Sequence, residues 1–99
     1  MYKAIILPLA KQDIKEAAHW YEDKQKNLGK RFTQEVRTDI RFLKGNPTAT
    51  AVRYDSVRCS VLKIFPFMIH YTIDEAKKVI IITAVLHTSQ DPNLWKERY

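Results

Sequence analysis

Two amphipathic stretches separated by three residues constrain this fold more than any other feature. Between Ala10 and Lys26, the apolar residues recur at i, i+3, i+4 and i+7 on one helix face: Ile14, Ala17, Ala18 and Tyr21. Between Lys30 and Lys44, a second apolar face follows the same period: Phe32, Val36, Ile40 and Leu43. Asn27 and Gly29 lie between the stretches and tolerate the positive φ that ends a helix. This short connection predicts an antiparallel helical hairpin.

The rest of the chain has the pattern of β-strands. Lys3–Leu7 is short and aliphatic and stops at Pro8, which suits a strand end. Val57–Phe65 is strand-like and runs into a tight Phe-Pro-Phe corner. From Phe67 to Asp74 the side chains alternate between an apolar and a mixed face, and Val79–His87 is aliphatic enough for a central strand.

A last short helix is predicted from Asp91-Pro92 through Trp95, because Asp caps helices and Pro suits their first turn. The predicted element order is therefore β-α-α-β-β-β followed by this short C-terminal helix. The fold class that follows is α+β, with an antiparallel sheet and the helical hairpin packed on one face.

The chain has 99 residues, which predicts one domain over 1–99. It has 17 Lys and Arg against 11 Asp and Glu, and the formal charge of +6 favours an anionic partner. The single cysteine, Cys59, forms no internal disulfide, and we expect a reducing cytoplasm. The longest mostly apolar run, Val79–Leu86, is far shorter than the roughly 20 residues of a membrane helix, so no membrane partner is expected.

The three histidines are scattered and predict no metal site, and no phosphate-binding loop or other cofactor motif is present, so no cofactor is expected. We expect His19 to face solvent on the first helix. His70 shares a strand face with Met68 and Thr72, and this semi-polar face is either solvent-open or a binding surface. His87 ends the last strand beside a loop. It is either a functional side chain or a structural imidazole bonded to a loop carbonyl.

Several charged and aromatic residues are candidates for binding. Arg58 lies inside a strand, where it binds an anion or pairs with an acid such as Asp55. Trp20 and Tyr21 are adjacent on a helix and point in different directions, so one should be less buried and the hairpin is a candidate interaction surface. A polar stripe on the second helix is either a solvated face or part of this surface: Lys30, Gln34, Arg37, Arg41 and Lys44.

Short motifs follow one another along nearly the whole chain: Ala10-x-x-Asp13-Ile14, Trp20-Tyr21, Leu28-Gly29-x-x-Phe32, Asn46-Pro47, Val57-Arg58, Phe65-Pro66-Phe67-x-Ile69-x-Tyr71 and Ala84-Val85-Leu86-His87-x-x-x-Asp91-Pro92-x-x-Trp95. In this order and spacing they resemble the RelE/ParE superfamily, the toxin halves of bacterial type II toxin–antitoxin modules. The β-α-α-β-β-β order is also the fold that this resemblance implies.

The resemblance implies one of two activities, because RelE-like members cut mRNA on the ribosome and ParE-like members poison DNA gyrase. Nuclease members typically carry Arg where this chain has Met68, and a thioether cannot neutralise a phosphate. They also carry basic groups after the last strand, where this chain has Thr88, Ser89 and Gln90. We therefore expect a ParE-like gyrase inhibitor associated with plasmid stabilisation and without catalytic residues. A ribosome-dependent mRNA endonuclease and a degenerate, non-toxic relative that still binds antitoxin are the alternatives.

The expected partner is a cognate antitoxin, whose acidic segment folds on the basic toxin over the hairpin and the adjoining sheet edge. The candidate antitoxin-binding residues are Trp20, Tyr21, Arg37 and Arg41. The candidate target-binding residues are Arg58, His87, Arg98 and Tyr99. Trp95 would pack the C-terminal segment down, and in the other interpretation this segment only covers a sheet edge. The segment reaches Arg58 only if the last strand neighbours the strand of Arg58.

Overall fold

A computed structural model of the protein describes residues 1–93. Its elements are β1 (Lys3–Ile6), α1 (Pro8–Lys24), α2 (Leu28–Gly45), β2 (Val52–Tyr54), β3 (Val57–Val61), β4 (Phe67–Asp74) and β5 (Val79–His87). The predicted α+β class and the helical hairpin are confirmed. The short helix expected through Trp95 lies outside the described residues. The strand predicted over Val57–Phe65 ends at Val61, and β2 has no counterpart in the prediction.

The five strands of residues 1–93 form one sheet in the order β1-β5-β4-β3-β2. Strands β2 to β5 pair antiparallel, as predicted. The sheet is nevertheless mixed, because β1 pairs parallel with β5 from Lys3 opposite Val79 to Ile6 opposite Ile82. The prediction of a wholly antiparallel sheet is wrong at this one pairing, since two strands so far apart in sequence leave no local pattern of their relative direction.

The first helix begins earlier than its apolar pattern indicates. Pro8 is its first residue and not the end of the preceding strand. This position suits proline, because its fixed φ is helical and the first turn needs no N–H from it. Asn27 adopts the left-handed conformation, with φ of 71°, and reverses the chain between the helices. The apolar face predicted for α2 is buried in the structure, as the pattern requires: Phe32, Val36, Ile40 and Leu43.

The two helices touch closely at Gly29. A Cβ atom on Gly29 would lie 2.3 Å from the carbonyl oxygen of Ala18 on α1, nearer than any real Cβ contact. The carboxylate of Glu22 accepts hydrogen bonds from the N–H groups of Asn27 (2.9 Å) and Gly29 (3.1 Å). Glu22 therefore satisfies backbone donors at the start of α2, where helices have no partners of their own. The absence of a side chain at Gly29 and the hydrogen bonds of Glu22 together fix the position of the two helices relative to each other.

The helical hairpin covers one face of the sheet. Ile69 and Tyr71 of β4 pack into the helix-side core with Ile80 and Ile82 of β5, which confirms the predicted alternation. The Tyr71 hydroxyl donates to the carbonyl of Pro47 (2.8 Å) and so ties the segment after α2 to the sheet. Among residues 1–93, neither helix has the length and hydropathy to cross a membrane.

The opposite face of the sheet is packed around His70. This side chain is 0% exposed, so neither alternative considered for it, a solvent-open face or a binding surface, is met. Its Nδ1 lies 3.0 Å from the Tyr54 hydroxyl and 3.5 Å from the Cys59 sulfur. Met68 is also buried, at 4% exposure. Burial raises the pKa of the Cys59 thiol to about 11, which keeps it protonated and unreactive at neutral pH.

Candidate functional site

A groove of about 570 Å³ opens between α1 and the sheet, and we name it the aromatic groove. One row of α1 forms its helical side with the spacing i, i+3, i+4 and i+7, followed by Tyr21: Asp13, Glu16, Ala17, Trp20 and Tyr21. The sheet side comes from the corner before β4, from the first residue of β4, from β5 and from the turn after β5: Pro66, Phe67, Val85, His87 and Gln90. The groove is therefore a composite of both layers of the fold.

Trp20 stands exposed on a rigid aromatic base. It is 58% exposed, while Tyr21 is half-buried, which confirms that one of the pair is less buried. The two rings meet edge to face with centroids 5.1 Å apart. The Tyr21 ring in turn packs against the rings of Phe65 and Phe32, with centroid distances of 4.7 and 5.5 Å. Burial raises the pKa of the Tyr21 hydroxyl. Exposed tryptophans on rigid supports are typical anchors for protein partners.

Asp13 holds the two walls of the aromatic groove together. Its carboxylate accepts a hydrogen bond from the N–H of Val85 at 3.1 Å. Strand β1 pairs with β5 only as far as Ile82, so the backbone of Val85 lies beyond its reach. The α1 carboxylate takes the place of the missing strand at this point. The same contact limits pairing of a foreign strand with this edge of β5, because the Val85 donor is in use.

His87 lies at the end of the aromatic groove. Its Nδ1 accepts a hydrogen bond from the Ser89 N–H (3.0 Å) and lies 2.7 Å from the Ser89 hydroxyl. Its ring packs edge to face on Phe67, with centroids 5.2 Å apart. Because Nδ1 is an acceptor, the proton of the neutral ring is on Nε2. His87 is bonded to its loop through the Ser89 N–H and not through the carbonyl that the structural interpretation expects, and its exposed ring is accessible to a partner.

Arg58 lies elsewhere in the sheet. Its guanidinium donates to the carbonyl of Thr50, and within residues 1–93 it forms no ion pair with Asp55. The condition for contact with the C-terminal segment is not met, because β4 lies between β3 and β5. Arg58 is opposite Tyr71 and His87 is opposite Phe67, so the two are roughly 13 Å apart along β4. Arg98 and Tyr99, with Trp95, lie outside the described residues.

Arg37 and Arg41 are exposed on α2 and do not line the aromatic groove. One side of α1 forms this groove, and the other side of α1, at Ala18 and Glu22, faces Gly29 of α2. The structure therefore separates Trp20 from the two arginines by the width of α1. A segment that contacts both must cross over the first helix.

Metal chemistry has no candidate site in the described part of the chain. Among residues 1–93, no three His, Cys, Asp or Glu side chains are grouped so that they could hold a metal ion.

The sequence interpretation missed a second groove, of about 290 Å³, which we name the acidic groove. It lies between α2 and the end of β3. Its lining is Glu35, Thr38, Asp39 and Phe42 from α2, with Val61, Leu62 and Lys63. The signal was available on α2 as a row at i, i+3, i+4 and i+7 that carries two acids on an otherwise basic helix.

Solved structures of other proteins have a similar fold. The chain is similar in fold to a chromosomal ParDE toxin–antitoxin protein from P. aeruginosa, with a TM-score of 0.72 at 17% identity over 90% of this chain and 98% of the other. It is also similar to a chain of the RelBE2 toxin–antitoxin complex from Mycobacterium tuberculosis, with a TM-score of 0.59 at 14% identity over 87% and 96%. No curated protein matches its sequence.

The family comparison is decisive for classification. The family model described as the ParE toxin of the type II toxin–antitoxin system, parDE, matches residues 4–92. Within residues 1–93, this match includes both helices, the five strands except Lys3 of β1, and the complete lining of both grooves. The chain therefore belongs to the ParE toxin family of type II toxin–antitoxin systems.

Proposed function

We propose that a cognate antitoxin neutralises this toxin by occupying the aromatic groove, and that the free toxin inhibits DNA gyrase. The observation that carries the first part is the juxtaposition of Trp20 and His87 in one groove. The sequence interpretation assigned Trp20 to the antitoxin and His87 to the target. Because both residues line the same surface, an antitoxin segment on Trp20 also covers His87. Neutralisation then follows from occlusion of a shared surface.

The nature of the antitoxin segment follows from the chemistry of the groove and of the chain. Trp20, Tyr21 and Phe67 offer an apolar surface for one or two large side chains. The net charge of +6 favours a segment that is acidic outside these contacts, and accelerates its association. The exposed cations Arg37 and Arg41 are available to acidic residues of a segment that continues across α1.

Gyrase inhibition is supported by the packing of the sheet face opposite the helices. In RelE-like nucleases, the resemblance implies basic and acid–base side chains on this face. Here Met68 occupies the position where nucleases typically carry Arg, and both Met68 and His70 are buried. A phosphodiester that undergoes cleavage needs accessible donors for its developing charge. A buried thioether supplies none, so a protein target such as gyrase is favoured.

The antitoxin-binding surface is tested with Trp20→Ala. Since Trp20 is 58% exposed, we expect the variant to fold normally but to bind the product of the neighbouring antitoxin gene about 10- to 100-fold more weakly in calorimetry. Leu9→Ala is the matched control, because Leu9 is 52% exposed at the start of the same helix and does not line the aromatic groove. Equal affinity of the Trp20→Ala variant and the wild type contradicts the assignment of this groove.

The cellular target is tested by two parallel assays. We expect the purified toxin to inhibit supercoiling by DNA gyrase and its expression to induce the DNA-damage response and filamentation. The antitoxin should relieve both effects. Transcript cleavage within translated codons, with DNA replication intact, would instead establish the ribosome-dependent endonuclease. Absence of both activities, with antitoxin binding retained, would establish a non-toxic relative.

A further inference from the structure

The acidic groove has a chemistry opposite to that of the whole chain. Two carboxylates, Glu35 and Asp39, and one ammonium, Lys63, line it, in a protein whose net charge is +6. The two acids are one helical turn apart on α2, so their Cβ atoms are about 6 Å apart. Like charges at this spacing destabilise an isolated helix. A second cation, in addition to Lys63, would therefore stabilise this pair of carboxylates.

The structure uses only part of the hydrogen-bonding capacity of these carboxylates. Asp39 Oδ2 accepts from the Ser60 hydroxyl at 2.7 Å, and Glu35 Oε1 accepts from the Ile64 N–H at 2.8 Å. The second oxygen of Glu35, Oε2, is buried and makes no hydrogen bond within residues 1–93. Burial, and then the negative charge of Glu35, raise the pKa of Asp39, while the Ser60 bond and Lys63 lower it. A second cation would relieve this unfavourable environment.

The rim of the acidic groove is apolar and exposed. Phe42 is 52% exposed and Val61 is 56% exposed, and Ile64, next to the lining residue Lys63, is 68% exposed. Leu62 is 5% exposed and belongs to the core. At about 290 Å³ the groove lies just below the roughly 300–1,000 Å³ typical of small-molecule sites. Its size suits one or two side chains of a protein partner.

From this geometry we infer that the acidic groove receives an arginine of the antitoxin, with an adjacent aliphatic residue on the apolar rim. The inference rests on the proposed function, because it takes the antitoxin as partner. A guanidinium has a planar array of donors that reaches two carboxylates at once, whereas an ammonium is a point charge. The exposed face of Phe42 offers a surface on which a guanidinium stacks. Each of these features favours arginine over lysine.

The position of the acidic groove also favours the antitoxin over a second toxin molecule. The groove lies against β3, whereas the aromatic groove lies against β5, with β4 between these strands. An antitoxin that crosses the hairpin from the aromatic groove arrives at the acidic groove on the far side of α2. A second toxin molecule also carries a charge of +6 and is repelled overall.

The test is the double variant Glu35→Gln, Asp39→Asn, which removes both negative charges and keeps the shape of the side chains. Both amides keep an oxygen that accepts the Ile64 and Ser60 bonds. The control, Asp23→Asn with Glu75→Gln, makes the same charge change at two exposed acids outside the acidic groove. Affinity for the antitoxin is measured by calorimetry, and folding is checked by circular dichroism.

General electrostatics and the specific contact predict opposite results. Loss of two negative charges strengthens the attraction of a basic toxin for an acidic antitoxin, so the control should bind equally or more tightly. The acidic-groove variant should instead bind about tenfold more weakly or worse. Unchanged or tighter binding of this variant, with normal binding of the wild type, overturns the inference alone. Failure of the wild-type toxin to bind antitoxin overturns the proposed function.

Two further measurements cover the remaining outcomes. If the double variant does not fold, Phe42→Ala replaces it, because Phe42 is 52% exposed, and the same tenfold loss is expected. Each arginine of the antitoxin is also changed to alanine. One of these changes should cost wild-type affinity but cost nothing further against the Glu35→Gln, Asp39→Asn toxin. Independent, additive losses for every arginine overturn the inference.

Discussion

The two grooves are built from the same helical pattern, and they differ in how their acids are used. The row in the aromatic groove is Asp13, Glu16, Ala17 and Trp20, and the row in the acidic groove is Glu35, Thr38, Asp39 and Phe42. Each row has an acid at its first position, which accepts a backbone N–H from the sheet layer. Each ends in an aromatic residue more than half exposed.

The difference lies in the second acid of each row. Glu16 is exposed and accepts a hydrogen bond from Gln12 on its own helix (2.8 Å), so solvent screens its charge. Asp39 is half-buried beside Glu35, and burial raises its pKa. An acidic side chain therefore contributes solubility in the aromatic groove, whereas in the acidic groove it lacks a second cation to neutralise its charge. Comparable rows on the two helices thus line one groove rich in aromatic side chains and one groove with an acidic pair.

The largest expected effect is a loss of stability that disturbs both grooves, because both grooves depend on the packing of the helical hairpin. Gly29→Ala places a Cβ atom 2.3 Å from the Ala18 carbonyl, which is backbone and cannot move aside. We expect the free energy of unfolding to fall by about 2–3 kcal/mol. Gly45→Ala is the control, because its Cβ would have no atom within 4 Å. Chemical denaturation of both variants tests this, and equal stability would show that the helices separate freely.

A smaller loss of stability is expected when the first acid of a row is removed, and the loss should differ between Asp13 and Glu35. Asp13→Ala leaves the Val85 N–H without its acceptor beside a side chain that is 1% exposed, which should cost about 1–2 kcal/mol of stability. Glu35→Ala should cost less than about 0.5 kcal/mol, because Ile64 is 68% exposed and water replaces the carboxylate. Thermal denaturation of the two variants gives the comparison. Equal losses would mean that the two bonds are equally shielded from water.

These contrasts show how much the sequence reveals. The alternation from Phe67 to Asp74 and the period of α2 both predict which residues are buried, because each is a local pattern with one buried side. Burial of His70 could not be predicted, since it depends on Cys59, Tyr54 and Met68 meeting from three strands. The α1 row of the aromatic groove is local, but its partner His87 joins it only through the sheet. The acidic row of α2 is equally visible in the sequence. That it lines a groove follows only from the fold, which places Val61 beside it.

The smallest expected effect is the pH dependence of Asp39. Its pKa is raised in the folded protein, so the ionised carboxylate lowers stability at neutral pH. This penalty disappears as the pH falls through the folded pKa and below the ordinary value. Asp39→Asn should therefore be slightly more stable than the wild type at pH 7 and equally stable near pH 3. Denaturation at both pH values tests this, with Asp23→Asn controlling for loss of one negative charge. A larger gain at pH 3 would contradict the assignment.

The parallel pairing of β1 with β5 has a consequence for biosynthesis. Among residues 1–93, β5 is the only strand that pairs with β1, and it follows the other four strands. While the ribosome is still making residues 79–87, β1 has no strand to pair with, and Val85 and His87 have not joined the aromatic groove. Such long-range pairing delays folding until the last partner is available. We therefore expect the aromatic groove, and any binding that depends on it, to form only after residues 79–87 have been made.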